Sequence, residues 1–496
     1  MNTQGIKKVV IAGGGTAGWM AAASIAKLIG KHLDITLVES DDIGTVGVGE
    51  ATIPPLLTLH QLLGIKEQEF MAATNATFKL GIAFENWRNV NEDYFHSFGT
   101  TGKDCWACGF QHFWAKGVER GIAGDYAQYS PETIAAYENK FAVLPKNGVN
   151  YAYHLDASLY AKFLRNMAEE HGAKRQEGKI ASVQTNDQTG YITSLTLESG
   201  QVIDGDLFID CTGFRALLIE QTLHTGYDDW THILPCDSAL AVQTTAVEDP
   251  IPYTRSIAHE WGWQWRIPLQ SRVGNGLVYC SKYVSDEQAK ERLLASVQGE
   301  LLTEPRLIKF KTGQRRKHWN KNCIALGLSS GFIEPLESTS IHLIQRGIVR
   351  LLQMFPQNQV QQSDVDEFNA QMAHEVDNIR DFIVLHYHVT NREDSRFWRH
   401  CKSMEIPESL QHRIDLFRET GRVFKVPNEL FGENSWIQVM LGQGIMPKQY
   451  HPIVDTMTDK ELVDFLEHIK MNSLRLAQQL PSHQDFINHH CKSTML

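Results

Sequence analysis

The feature that most restricts the fold lies in the first fifty residues. Residues 8–12 have the apolar character of a buried strand, and Gly13-Gly14-Gly15-Thr16-Ala17-Gly18 matches the GxGxxG pattern. Residues 19–29 have helical composition, and residues 33–38 read as a second strand. Glu39 follows the last glycine by about 20 residues, where a ribose-binding carboxylate belongs. In this order these parts define a dinucleotide-binding unit. The glycines permit a tight turn and close backbone approach to a pyrophosphate. The helix start offers free N–H groups and a partial positive charge. Gly13, Gly15, Thr16, Ala17, Gly18 and Glu39 are therefore the expected cofactor contacts.

The α/β character recurs further on. Residues 180–197 and 205–213 read as strands ending in a glycine turn, residues 320–331 repeat that theme, and 276–284 form a further strand. From His342 onward the pattern is helical, punctuated by Pro356, Pro407 and Pro427. At ~150 residues per domain the length suggests roughly three domains. The nucleotide-binding segments are dispersed, however, and no linker or repeat separates them. The expected division is one α/β unit over residues 1–350, with an interleaved substrate-side sheet. A mainly helical region over 351–496 then completes the substrate site.

Composition narrows the function classes. The 496 residues include 47 Lys plus Arg and 58 Asp plus Glu, a formal net charge of −11. Binding to a phosphate backbone draws on clustered cations, so nucleic acid is not an expected partner; a small anion needs only a local site. No run of ~20 uninterrupted apolar residues is present, so no membrane span is expected. Lys7 and Lys8 before an apolar run resemble a signal peptide, but three consecutive glycines spoil a signal helix, and a cytoplasmic chain is expected. The eight cysteines are too sparse for a disulfide scaffold. Only Cys105 and Cys108 form a CxxC, without a second pair at zinc spacing, so free thiols and no metal are expected.

Three segments carry candidate chemistry. In Trp261-Gly262-Trp263-Gln264-Trp265-Arg266-Ile267-Pro268, strand alternation sets Trp261, Trp263, Trp265 and Ile267 on one face. Three indoles there form a flat apolar wall, suited to a flat cofactor or to a Trp-rich core. In residues 332–341 a proline and small hydroxyl residues precede a helical run. Its start is an anion site beside Glu337, or an ordinary helix cap by Ser338 or Thr339. Lys79 stands among apolar neighbours. It is either desolvated, partly neutral and nucleophilic, or it snorkels to solvent.

Together these residues resemble the flavin-dependent halogenases, the family typified by the tryptophan halogenases. The resemblance runs over nearly the whole chain. Its markers are the GxGxxG followed by Trp19, the segment Gly47-Val48-Gly49-Glu50-Ala51-Thr52, Lys79, and Pro335-Leu336-Glu337-Ser338-Thr339. The WxWxIP motif of Trp263, Trp265, Ile267 and Pro268 sets these enzymes apart from related flavin monooxygenases. The implied fold is a Rossmann-like FAD-binding domain of the GR2-type monooxygenase kind with an additional β-sheet, followed by a mainly helical C-terminal region. The resemblance adds Glu50, Ala51, Leu328 and Ile341 to the FAD contacts. It places a halide, chloride or bromide, at the backbone of Thr339 and Ser340.

The resemblance also implies the reaction. Reduced FAD, O2 and halide yield hypohalous acid, which passes through an internal tunnel to Lys79. An electron-rich aromatic carbon then takes the halogen. Glu337 raises the electrophilicity of the donor or stabilises the cationic ring. Trp263 and Trp265 keep organic substrate off the flavin. No second dinucleotide motif is evident, so a separate NADH-dependent flavin reductase is the implied partner, and a homodimer is common in the family.

His96-Ser97-Phe98-Gly99 resembles the family segment whose His and Phe rings sandwich a substrate indole. Tryptophan halogenases also carry a lid with a Tyr-Tyr pair, followed by a Glu and a Trp. Here residues 427–447 are a shortened counterpart without that pair, and their aromatics are Phe431 and Trp436. Ser340 stands where the family often has Gly. The expected substrate is therefore indole or a larger indole-like or phenolic aromatic, with bromide preferred. The alternatives are a tryptophan halogenase proper and an aromatic flavin monooxygenase, which hydroxylates without halide. Lys79 and Glu337 together argue against a non-catalytic flavoprotein.

Overall fold

In the first fifty residues, strand Lys8–Ala12 lies parallel to Asp34–Glu39 and helix Thr16–Ile29 connects them. These and all later positions come from a computed structural model that describes residues 5–44, 49–105, 107–146 and 148–493. The marker residues Gly47 and Val48 lie outside the described residues. The near-continuous apolar run of the first strand follows from burial on both faces, as parallel strands require. Six strands form this sheet, in the order Trp319–Asn320, Cys323–Ala325, Leu207–Asp210, Lys8–Ala12, Asp34–Glu39 and Lys174–Glu177. All neighbours are parallel except the first pair.

A seven-stranded sheet forms the opposite side. Its order is Arg306–Lys309, Ser238–Thr245, Arg272–Tyr279, Gly262–Pro268, Thr254–Ala258, Gly81–Glu85 and Asp93–Ser97. A small antiparallel sheet of Gly49–Ala51, Ala152–Asp156 and Thr77–Lys79 stands beside it. Leu80 passes the chain from the small sheet to the large one. Its N–H donates to the Pro252 carbonyl at 2.8 Å, and its carbonyl accepts from Phe98 N–H at 3.0 Å. Backbone bonds thus fix Lys79 relative to the His96–Phe98 segment, 17 or more residues later in sequence.

Helix Ser340–Gln353 carries the chain into a region made of helices Gln362–His388, Arg396–Ser403, Glu408–Thr420, Glu433–Gly442, Asp459–Gln479 and His483–His490. One hydrophobic core runs from Val9 and Met20 through Trp263 to Phe382, Trp398 and Leu466. This is the expected order of an α/β unit with additional sheet followed by helices. Among the described residues no helix is long and apolar enough to cross a membrane.

One expectation is corrected here. Trp261 does not share the face of Trp263 and Trp265. The His259 N–H donates to the Gly262 carbonyl, so the chain turns before strand Gly262–Pro268 begins, and strand alternation does not extend back to 261. Trp261 packs instead on a separate cluster containing Leu240, Val242 and Tyr279. The wall has two indoles, not three.

Candidate active site

A cavity of about 430 Å3 opens between the two large sheets. At one end it is lined by Gly13, Gly15, Thr16, Ala17 and Glu39. Gly15 caps helix Thr16–Ile29 without a side-chain bond, so the first helical N–H groups face open space, and a Cβ built on Gly15 meets nothing within 4 Å. Gly14 is required for a different reason: a Cβ there would lie 1.5 Å from Glu39 Oε2. Glu39 is oriented by Trp19 Nε1, which donates at 3.3 Å, and by Arg175 Nε at 2.5 Å. Gly18 is off the cavity wall and packs against the Gly13 carbonyl. Uncapped helix N–H groups suit phosphate oxygens, and an oriented carboxylate suits ribose hydroxyls.

The other end of the cavity is apolar. Trp263, Trp265 and Ile267 line it, with Leu328, Ser340 and Ile341 opposite and Glu50 and Ala51 on the small sheet. Trp265 pairs across the sheet with Gly276, where a Cβ would lie 1.9 Å from the indole ring. The glycine is what lets this indole lie down on the neighbouring strand. Trp263 Nε1 donates to Glu334 Oε2 at 2.9 Å, and the Tyr387 hydroxyl donates to the same oxygen at 2.5 Å. Burial pushes the Glu334 carboxyl up to about 7 against those two bonds. Glu50 is half-buried by accessible surface but enclosed by protein, which pushes its carboxyl up to about 7 as well. Pro268 and Thr339 are off the cavity wall; the Pro268 carbonyl accepts from Thr77 Oγ1. With phosphate-type donors at one end and flat apolar walls at the other, the residues fit FAD.

The turn at Pro335–Glu337 and the residue after it stand between this cavity and the buried side chains of Lys79 and Glu337. Ser338 adopts φ +58° and ψ +37°, a left-handed conformation that non-glycine residues seldom take. It lines the cavity, and its hydroxyl accepts from Lys79 Nζ at 2.8 Å on the other side. Lys79 also donates to the Thr52 carbonyl at 3.1 Å and lies 5.1 Å from the centre of the Phe98 ring. It is 0% exposed, so it does not snorkel. Burial lowers its ammonium to about 7, partly offset by the charge of Glu337. Helix Ser340–Gln353 begins just after the turn and receives no side-chain cap from Thr339. Ser340 is helical and is not among the positive-φ residues, so its first-turn N–H geometry matches that of a glycine there.

Glu337 is also 0% exposed. His96 Nδ1 lies 3.0 and 2.9 Å from its two oxygens. His386 Nε2 lies 2.9 Å from Oε1, off the axis of an aligned hydrogen bond. Burial alone would raise this carboxyl. The positive charge of His96 and the contacts from both histidines outweigh it and hold the group down at about 2. Lys79 and Glu337 make no direct bond to each other among the described contacts. Lys79 is spent on Ser338 and Thr52, and Glu337 on two histidines. The two groups influence each other through space, on one side of one turn.

The His96–Gly99 segment is pinned by helix Glu433–Gly442. Gln438 Oε1 accepts from Ser97 N–H at 2.8 Å, and Asn434 Nδ2 donates to the Gly99 carbonyl at 2.6 Å. Phe98 is half-buried, whereas His96 is buried and uses its ring edge on Glu337. Trp436 lies on the same helix. It is buried, its Nε1 donates to Glu429, and its ring sits between Arg413 and Phe382. His386 and Glu334 carry functional geometry that sequence reading missed. Glu334 lies inside the 332–341 segment and could have been flagged there; His386 offers no local signal, because its partner is 49 residues away in sequence.

Chemically, the arrangement places a buried amine that loses its proton near neutrality close to a carboxylate held ionised. Both are screened from the large cavity by a single turn. Burial keeps both groups away from bulk water.

Comparisons with known proteins show the family. The family model described as tryptophan halogenase matches residues 8–459. The tryptophan 7-halogenase RebH of Lentzea aerocolonigenes is 34% identical over 523 positions, covering 97% of this chain and 98% of that protein. Among solved structures, Xcc4156, a flavin-dependent halogenase from Xanthomonas campestris, matches with a TM-score of 0.98 at 58% identity over 99% of each chain. BrvH, a flavin-dependent halogenase from Brevundimonas sp. BAL3, matches with a TM-score of 0.94 at 42% identity, over 98% of this chain and 99% of that one.

Proposed function

The chain belongs to the tryptophan halogenase family of flavin-dependent enzymes, and on that premise we propose that it halogenates indole or an indole-like aromatic through Lys79 and Glu337. Bound FAD, in its reduced form and with O2 and halide, supplies an electrophilic halogen at the large cavity. The protein's own residues do the rest. Gly13, Gly15, Thr16, Ala17, Glu39, Glu50, Ala51, Leu328 and Ile341 bind the cofactor, and Gly18 lets the helix pack closely on the Gly13 carbonyl. Trp263 and Trp265 exclude the aromatic substrate from it. The uncapped helix start at Thr339 and Ser340 holds the halide. Lys79 receives the oxidant beyond the turn, and Glu337 polarises the halogen donor or stabilises the cationic ring. Phe98 offers a ring face to the substrate, and His96 serves mainly by holding Glu337.

The single observation that carries this reading is the placement of Lys79 and Glu337. Both are fully buried, near one another, and divided from the cofactor cavity by the turn that Ser338 completes. An aromatic monooxygenase has no use for a buried amine at that point.

The substrate claim rests on the region after helix Glu408–Thr420, which lacks a Tyr-Tyr pair. The alignment to RebH spans 523 positions while this chain has 496 residues, so gaps fall in this chain. We also read the molecule as residues 1–350 plus a helical part over 351–496, acting in the cytoplasm as a homodimer. Its reduced flavin comes from a separate NADH-dependent reductase. The enzyme is to be incubated with FAD, such a reductase, NADH, O2 and either indole or free L-tryptophan, with chloride or with bromide. Halogenated indole in clear excess over halogenated tryptophan, higher with bromide, is the expected result. Free tryptophan as the better substrate would overturn the substrate claim.

A further inference from the structure

We propose that His386 is a positioning residue that keeps Glu337 ionised and aimed, and that Tyr94 acts through it by fixing the tautomer of His386. The proposal rests on the reading above that Glu337 acts in the reaction.

The three residues come from distant parts of the chain and form a directional series. Gln443 Nε2 donates to the Tyr94 hydroxyl oxygen at 3.4 Å and to the His386 carbonyl at 2.8 Å. Gln443 Nε2 can only donate, so His386 Nδ1, 2.6 Å away, is the acceptor within reach of the Tyr94 O–H. That contact makes Nδ1 the acceptor and leaves the proton of the imidazole on Nε2, the atom 2.9 Å from Glu337 Oε1. The His386 ring is itself clamped, stacked on Phe84 at 4.5 Å and edge-on to Phe382 at 5.4 Å. Burial lowers its pKa against the opposing effect of Glu337, and in the neutral ring the tautomer decides which nitrogen presents a proton to the carboxylate. With the opposite tautomer a lone pair would face the carboxylate and repel it.

The groups that face Glu337 are His96 from strand Asp93–Ser97, His386 from helix Gln362–His388, and, at longer range, Lys79 and Tyr94. Those facing His386 are Glu337, Tyr94 and His96. His96 stays in place when His386 or Tyr94 is changed, so part of the stabilisation remains. The adjacent residue on the same helix, Tyr387, holds Glu334. The last turn of helix Gln362–His388 thus reaches both carboxylates of the 334–337 segment.

The test compares wild type with Tyr94→Phe, His386→Phe, His386→Gln and Glu337→Gln across pH 5–9, reading kcat for indole halogenation and FAD binding. Tyr94→Phe removes one oxygen and keeps the ring stacked on Phe84, so it reports even if His386→Phe does not fold. Both Phe variants are expected to lose activity preferentially at low pH, with the variant-to-wild-type ratio falling about tenfold per unit that Glu337's pKa rises into the range. FAD binding stays unchanged. His386→Gln, which keeps an N–H donor, recovers most of the low-pH activity. Pure loss of packing would lower kcat equally at every pH. A pH-independent ratio in Tyr94→Phe, with Glu337→Gln inactive, overturns the proposal. Wild-type activity in Glu337→Gln overturns the underlying assignment of Glu337 instead.

Discussion

Lys79→Ala is expected to lower indole halogenation by about 10^3-fold, the scale of a positioned reacting group, while leaving FAD affinity within about twofold. Lys79 is off the wall of the large cavity and is joined to that wall through the Ser338 hydroxyl. Losing the amine removes the group that meets the oxidant without touching the cofactor walls. The same burial predicts a stability signature. An unfolded lysine titrates near 10.5 and the folded one near 7. Between those values the unfolded chain binds a proton that the folded one does not. Stability therefore rises with pH across that window, by at most ~1.4 kcal/mol per pH unit from this group. Below about pH 7 the burial penalty is present in full. Lys79→Met removes this slope and stabilises the folded state most at the acidic end. Denaturant midpoints from pH 7 to pH 10 measure it; parallel curves for the two proteins would mean that Lys79 is solvated.

Glu337→Gln is expected to reduce kcat by about 10^2–10^3-fold, with KM for indole little changed. Glutamine fills the same volume but cannot present a full negative charge to a developing cation. The substitution also leaves the N–H groups of His96 and His386 facing an amide. A depressed carboxyl contributes stability that is present above its ordinary value of 4.5 and is lost as pH falls toward 2. The variant should therefore be less stable than wild type at pH 7, and the difference should shrink on acidification. Steady-state kinetics with bromide, and thermal melts at pH 7 and pH 4, check both statements. An unchanged kcat would remove Glu337 from the reaction.

The sequence was most informative where chemistry is local. The glycine turn, the connecting helix and Glu39 lie within forty residues, and each is dictated by backbone sterics that any observer can read. Gly14 shows why: its missing Cβ is the space that Glu39 occupies. Alternation correctly set Trp263, Trp265 and Ile267 on one side of a strand. It failed at Trp261 because a hairpin turn, stabilised by a single backbone bond from His259, interrupts the strand one residue too soon. Partners distant in sequence were beyond reach. The carboxylate of Glu337 is held by His96, 241 residues away. Ser338 gained its role from a left-handed backbone that nothing in the letters announces. Trp436 carries no local signal for its partners Glu429, Arg413 and Phe382, which hold it in the core. Tertiary hydrogen bonds decided each of these cases, and they depend on how the sheets and helices meet.

The central claim is that oxidant is made on one side of the Pro335–Ser338 turn and delivered to the aromatic on the other by Lys79. The most direct measurement is the partition of that oxidant in wild type and Lys79→Ala. Both are supplied with reduced FAD, O2, bromide and indole, and free hypobromous acid is captured by a small diffusible trap. The account predicts the same total oxidant per flavin oxidised in both proteins. In wild type most of it appears as bromoindole; in Lys79→Ala it appears in the trap. An unchanged yield of bromoindole from Lys79→Ala, with no rise in trapped oxidant, would contradict the account.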